Sequence, residues 1–153
     1  MIKVSDIEYV RFAAPDLAKM EQFLTDFGLS VAESDDSALY MRGTGASPWI
    51  HQTVLGDPGF RGVAFSVETP ADLEAAAELE GASGIEDLEE PGGGRRVRFT
   101  DPDGFEIEVV QGRRLASQIP VDRALPLNCG TERPRIGARQ QVPTGPAQVR
   151  RLG

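Results

Sequence analysis

The chain is short of the residues that most often carry out chemistry, with one cysteine (Cys129) and one histidine (His51) in 153 positions. A lone cysteine excludes an internal disulfide framework, and no Cys/His cluster has the spacing of a zinc site. With a single imidazole, no serine or cysteine nucleophile has a usable base of the usual kind. Gly92-Gly93-Gly94 is followed by no helix pattern, which removes the phosphate-cradling reading of a glycine loop. No apolar run approaches the roughly 18 residues of a membrane span. The opening MIKVSDIEYV also lacks the basic and apolar regions of a secretory signal, so a cytoplasmic location and no membrane partner are expected.

What is present fits one soluble domain: 40% apolar and 26% charged residues. The net charge of −8 is unevenly spread. Residues 1–112 hold 8 Lys/Arg against 22 Asp/Glu, a net of −14, and residues 113–153 hold 8 Arg against two acids, a net of +6. The acidic body repels phosphate backbones, and the arginines of the tail are scattered among prolines, so no nucleic-acid partner is expected.

The body reads as two similar halves, at about residues 5–56 and 60–112. Residues 7–14 suit a strand, and Pro15-Asp16 opens a helix with Leu17, Met20, Phe23, Leu24 and Phe27 at helical spacing before Gly28. Strand candidates follow at 29–34, 37–42 and 47–55. The pattern restarts with a strand at 62–67 and a capping box, Thr69-Pro70-Ala71-Asp72, whose helix is expected to run through Glu80 to Gly81. A weak strand signal at 84–88 precedes Arg95–Thr100 and Phe105–Val110, which flank the turn Asp101-Pro102-Asp103-Gly104. The fold class is therefore α+β, two βαβββ modules in one mixed sheet with flanking helices. After Gly112 the five prolines and the missing periodicity read as a linker or arm over 113–153.

Strand alternation predicts which side chains share a face. One face of each strand should pack beneath the helices. The other should line a curved, partly open surface containing Tyr9, Arg11, Trp49, His51, Thr53, Gly62, Ser66, Glu106 and Glu108, with Glu106 solvated. Within it Tyr9, Arg11, Trp49, Thr53 and Ser66 are the pocket candidates, suited to a small aromatic ligand. An alternative reading makes the same surface a sheet face covered by a partner domain.

The segments IEYVRFAAPDLAKMEQFLTDFGLSV and RGVAFSVETPADLEAAAELEGA resemble the openings of the two modules of the vicinal oxygen chelate superfamily. FTDPDGFEIEVVQG is similar to the closing hairpin of the second. The resemblance implies an open half-barrel sheet around a cleft in which catalytic members bind a divalent metal through the first and last strand of each module. Carried onto this sequence those positions hold Tyr9, His51, Gly62 and Glu108. Only His51 and Glu108 are good ligands, and catalytic divalent ions usually take three from the protein. The resemblance thus implies a vestigial metal site, no catalytic residue and no cofactor in this chain.

The tail PLNCGTERPRIGARQQVPTGPAQVRRLG is similar to the segment that joins the two domains of bacterial extradiol dioxygenase-like proteins. That implies a supporting N-terminal domain whose partner is a second domain of the same polypeptide, with Fe(II) or Mn(II) there. Two alternatives stand beside it: a free-standing binding protein of bleomycin-resistance type, and a glyoxalase-type metal enzyme. Open sheet edges and a long arm favour a homo-oligomer.

Overall fold

A computed structural model describes residues 2–121 and 148–152. The first module contains β1 (Val4–Ala14), α1 (Leu17–Phe27), β2 (Ser30–Ser34), β3 (Ala38–Arg42) and β4 (His51–Leu55). The second contains β5 (Gly59–Val67), α2 (Pro70–Ala77), β6 (Glu86–Asp87), β7 (Arg95–Thr100) and β8 (Glu106–Gln111). The two βαβββ modules form one eight-stranded mixed sheet in the order β2-β3-β4-β1-β5-β8-β7-β6. Within each module the first and last strands run parallel, β1 with β4 and β5 with β8. The two first strands pair antiparallel at the centre and join the modules.

Local chemistry sets the boundaries. The Asp16 carboxylate accepts from the Lys19 N–H at 3.0 Å and caps α1. Gly28 ends the helix at φ 110°, a left-handed conformation that glycine adopts without steric cost. Thr69 caps α2 with Pro70 in its first turn. That helix stops at Ala77, three residues before the expected Glu80, because the chain tightens into shorter turns: Leu79 N–H donates to Ala76 and Ala82 N–H to Leu79, both at 3.2 Å. In the β7–β8 turn, Asp101 Oδ1 accepts from the N–H groups of Asp103 and Phe105, and Gly104 takes φ 90°.

Both helices lie on one side of the sheet, here the outer face. Under α1, Leu24, Leu29, Leu39, Met41 and Ile50 form one apolar cluster. Under α2, Val67, Leu73, Ala76, Val97 and Val109 form another. The inner face carries Tyr9, Tyr40, Trp49, Ala64, Leu88 and Val110.

Alternation correctly separates the faces of β5 and β8 but fails in β4. Regular pairing there begins only at His51, opposite Val10 and Met41. Ile50, one residue earlier, already belongs to the outer cluster with Met41. Two consecutive residues therefore face outward, and this one-residue slip transfers His51 and Thr53 to the outer face and Gln52 to the inner one. A bulge between Ile7 and Tyr9 likewise displaces Glu8 from the helix side, where it accepts from Arg113 at 2.7 Å.

Beyond β8 the chain has no regular secondary structure over 112–121, nor over 148–152. It runs beside the loop between β3 and β4, with Ala116 N–H donating to Ala46 at 2.8 Å and Ile119 N–H to Thr44 at 3.1 Å. The rest of the expected linker, residues 122–147 with Cys129, lies outside the described residues. Among the described residues no helix is long and apolar enough to cross a membrane.

Candidate functional site

The central strands bring Tyr9 and Arg11 from β1 against Glu108 from β8 on the inner face. Glu108 is 1% exposed, and its carboxylate accepts from the Tyr9 hydroxyl, Arg11 Nη2 at 3.3 Å and Arg96 Nη1 at 3.1 Å. The same two guanidiniums reach Glu90, Arg11 at 2.9 Å and Arg96 at 3.2 Å. Two carboxylates and two guanidiniums so close a ring of charge in which Glu108 is buried and Arg11, Glu90 and Arg96 are partly exposed. Arg11 also donates to Gln52 Oε1 at 2.6 Å, and Gln52 Nε2 donates to the Tyr40 hydroxyl at 3.0 Å. Arg98 extends the network outward to Glu86 at 2.7 Å and Glu106 at 3.4 Å, so Glu106 is paired rather than simply solvated.

Burial and partners shift the ionisations. Burial, then the Glu108 charge, pushes the Tyr9 phenol well above its ordinary range, so Tyr9 remains a neutral donor. Burial weighs against the Arg11 charge, but Tyr9 and Glu108 outweigh it and hold the guanidinium protonated. For Glu108, burial outweighs the pull of Arg11, Tyr9 and Arg96, so its carboxyl lies above the usual carboxylate range. For Glu90, burial is outweighed by the Arg11 hydrogen bond and the carboxyl lies below the usual range.

Beside this ring, Trp49 is fully buried, its indole N–H donating to the Pro91 carbonyl at 2.9 Å. Its ring lies 4.1 Å from that of Tyr9 and 5.2 Å from that of Tyr40. The Arg113 guanidinium covers both Trp49, at 4.5 Å, and Tyr9, at 5.0 Å. Glu8 anchors that guanidinium.

The pocket candidates are thus distributed unequally. Tyr9, Arg11 and Trp49 come together, but as a filled cluster. Thr53 is fully buried on the outer face with His51, their side chains 3.5 Å apart. Ser66 is on the inner face, bonded to the Ser5 hydroxyl at 3.0 Å and beside a smaller depression with Glu8 and Arg113. An opening of about 560 Å³ lies next to the charge ring and is lined by Tyr40, Glu86, Glu90, Pro91 and Arg96 among others.

The expected metal pair is separated. His51 stacks on Phe12 at 5.1 Å on the outer face, and burial lowers its pKa to about 4, while Glu108 is on the inner face. At Gly62 a Cβ would come within 2.1 Å of the Glu106 carbonyl, leaving no room for a ligand-bearing side chain. Among the described residues no three His, Cys, Asp or Glu converge as metal ligands. The residues present do not fit a divalent ion. Two guanidiniums already supply positive charge to Glu108, and a cation there would be repelled by both.

Sequence reasoning missed Gln52, Glu90, Arg96 and Arg113. One signal was available: Arg96 and Arg98 alternate along β7 and Glu106 and Glu108 along β8, with Arg98 directly opposite Glu108 and the ion pairs on the diagonals, Arg96 to Glu108 and Arg98 to Glu106.

Comparison with known proteins agrees with this architecture. The family model for the Glyoxalase/Bleomycin resistance protein/Dioxygenase superfamily matches residues 6–109. A manganese-dependent 2,3-dihydroxybiphenyl 1,2-dioxygenase from Geobacillus genomosp. 3 is 29% identical over 117 residues, which are 70% of this chain and 36% of that protein. Homoprotocatechuate 2,3-dioxygenase from Arthrobacter globiformis superposes with a TM-score of 0.66 at 25% identity, over 76% of this chain and 38% of the other. The Mn(II)-bound glyoxalase from Novosphingobium aromaticivorans shares the fold with a TM-score of 0.72 at 24% identity, over 80% and 44%. The chain therefore spans less than half the length of these relatives. With all but the outermost residues of both modules, including their central pairing, inside the matched segment, the chain belongs to the glyoxalase/bleomycin resistance protein/dioxygenase superfamily.

Proposed function

We propose that this chain is the supporting, metal-free half of a two-domain extradiol-type dioxygenase, which opens a catechol ring in its other domain. The observation that carries the reading is the state of Glu108. It is the best ligand left on the inner face, yet it is buried between Arg11, Arg96 and Tyr9. A carboxylate so held neither binds a divalent ion nor acts as a base. The similarity to a manganese-dependent extradiol dioxygenase and the chain's coverage of only part of that protein support the same reading. The partner is then a second vicinal oxygen chelate domain of the same polypeptide, and Fe(II) or Mn(II) is expected there. A free-standing drug-binding role is disfavoured because Trp49, its natural platform for a planar ligand, is covered by Arg113.

The test compares metal content and activity in two preparations: residues 1–153, and the complete natural polypeptide that carries them. The short chain is expected to take up no stoichiometric Mn(II) or Fe(II), and the complete polypeptide to hold one ion and cleave a catechol. One tightly held ion in the short chain, or a complete polypeptide without ring-cleaving activity, would overturn the proposal.

A further inference from the structure

Residues 148–152 return to the first module, where three main-chain hydrogen bonds hold them, two from the loop between β3 and β4 and one to Gly28 at the end of α1. Thr44 N–H donates to the Val149 carbonyl at 2.8 Å, Gly45 N–H to that of Arg150 at 3.1 Å, and Val149 N–H to that of Gly28 at 3.0 Å. Two side chains add apolar anchors. Val149 and Leu152 pack against the outer cluster under α1, at a wholly apolar hollow bounded by Phe23, Leu24, Phe27 and His51. Arg151 pairs with Asp6 at 2.9 Å.

Gly43 and Gly45 show that the receiving loop is shaped for this contact. Neither adopts a positive φ, so backbone conformation does not demand glycine at either position. A Cβ on Gly45 would meet only Arg150, at 2.8 Å from its carbonyl oxygen. The three nearest atoms to a Cβ on Gly43 all belong to Val149 and Arg150, the closest at 2.5 Å. In both places the missing side chain makes room for the returning chain. Thr44, between them, grips both passes, since its carbonyl accepts from Ile119 on the way out and its N–H donates to Val149 on the way back.

We propose that Gly43–Gly45 and the hollow under α1 form a docking site for residues 148–152 of the same chain. The site clamps the chain's distal part to the first module. Main-chain bonds provide the hold and the two apolar anchors fix the register, as in other extended-segment recognition. On the two-domain reading above, the clamp makes the second domain start from a fixed point on the first instead of swinging on a free linker.

Amide hydrogen exchange on the intact chain tests the clamp at Thr44, Gly45 and Val149, with trypsin cleavage after Arg150 and Arg151 as a second readout. In the unmodified chain all three amides should be protected. The Gly43→Ala/Gly45→Ala variant should raise their exchange by about tenfold or more, leave Leu24 and Gln52 unchanged, and speed cleavage. If that variant unfolds throughout, Val149→Ser/Leu152→Ser, which alters only the docked segment, decides with the same expectation. Unprotected amides in the unmodified chain, or unchanged protection in a folded variant, would overturn the clamp. Neither readout involves metal or ring cleavage, so its failure and that of the proposed function are told apart.

Discussion

Tyr9 and Glu108 come from the first strand of one module and the last strand of the other, and the Tyr9 hydroxyl donates to the buried Glu108 carboxylate. The sheet thereby places a side-chain lock between the two modules. The electrostatics favour the lock only while it is complete.

Glu108→Gln should consequently destabilise the domain by about 1.5–3 kcal/mol, since Arg11 and Arg96 would lose one of the two carboxylates they share and keep only Glu90. Combining it with Arg11→Met should cost less than the sum of the two single changes. Urea unfolding of the four proteins measures this coupling, and strict additivity would contradict a shared network.

Trp49 is the only tryptophan, so its fluorescence reports on the covered platform without ambiguity. Short-wavelength emission and weak acrylamide quenching are expected, with no response to planar cations. Arg113→Ala should admit the quencher and cost about 2 kcal/mol, because it removes the stacked cation and leaves Glu8 unpaired. Stoichiometric quenching of the unmodified chain by a planar cation would restore the drug-binding alternative.

The only histidine gives an equally clean pH prediction. Burial lowers the His51 pKa from 6.5 to about 4, so the fold favours the neutral ring. Its contribution is complete above about pH 6.5, declines as pH falls toward 4, and amounts to about 3 kcal/mol when fully lost. Replacing His51 with Leu should remove this part of the acid destabilisation and leave the carboxylate part. An imidazole NMR titration with its midpoint near 6.5 in the folded protein would contradict the placement.

Gly62→Ala tests the close approach of β5 and β8. Its Cβ would press on the Glu106 carbonyl, and separating the strands should cost at least about 1–3 kcal/mol. Gly59→Ala is the control in the same strand, where a Cβ meets nothing within 4 Å. Equal melting temperatures for the two variants would contradict the account.

Features with a local cause were legible in the sequence. Asp16, Gly28, Thr69 and the Asp101–Gly104 turn each announce themselves within a few residues, and so did the two modules. The site was less legible because its partners meet through strand register. Period-two counting fails wherever the backbone slips, as it does at Ile50–His51 and between Ile7 and Tyr9. Arg113 lies just past the last strand and reads as linker, yet it covers the aromatic pair. Glu90 follows a two-residue strand too short to fix its direction from sequence alone.

Thr44 holding both Ile119 and Val149 ties two distant stretches of the chain to a single residue. One position of the β3–β4 loop thus sets two points of the chain that are thirty positions apart, because Thr44 accepts at its carbonyl from Ile119 and donates its N–H to Val149. A displacement of Thr44 is therefore felt at both points together, and neither can loosen alone through that residue.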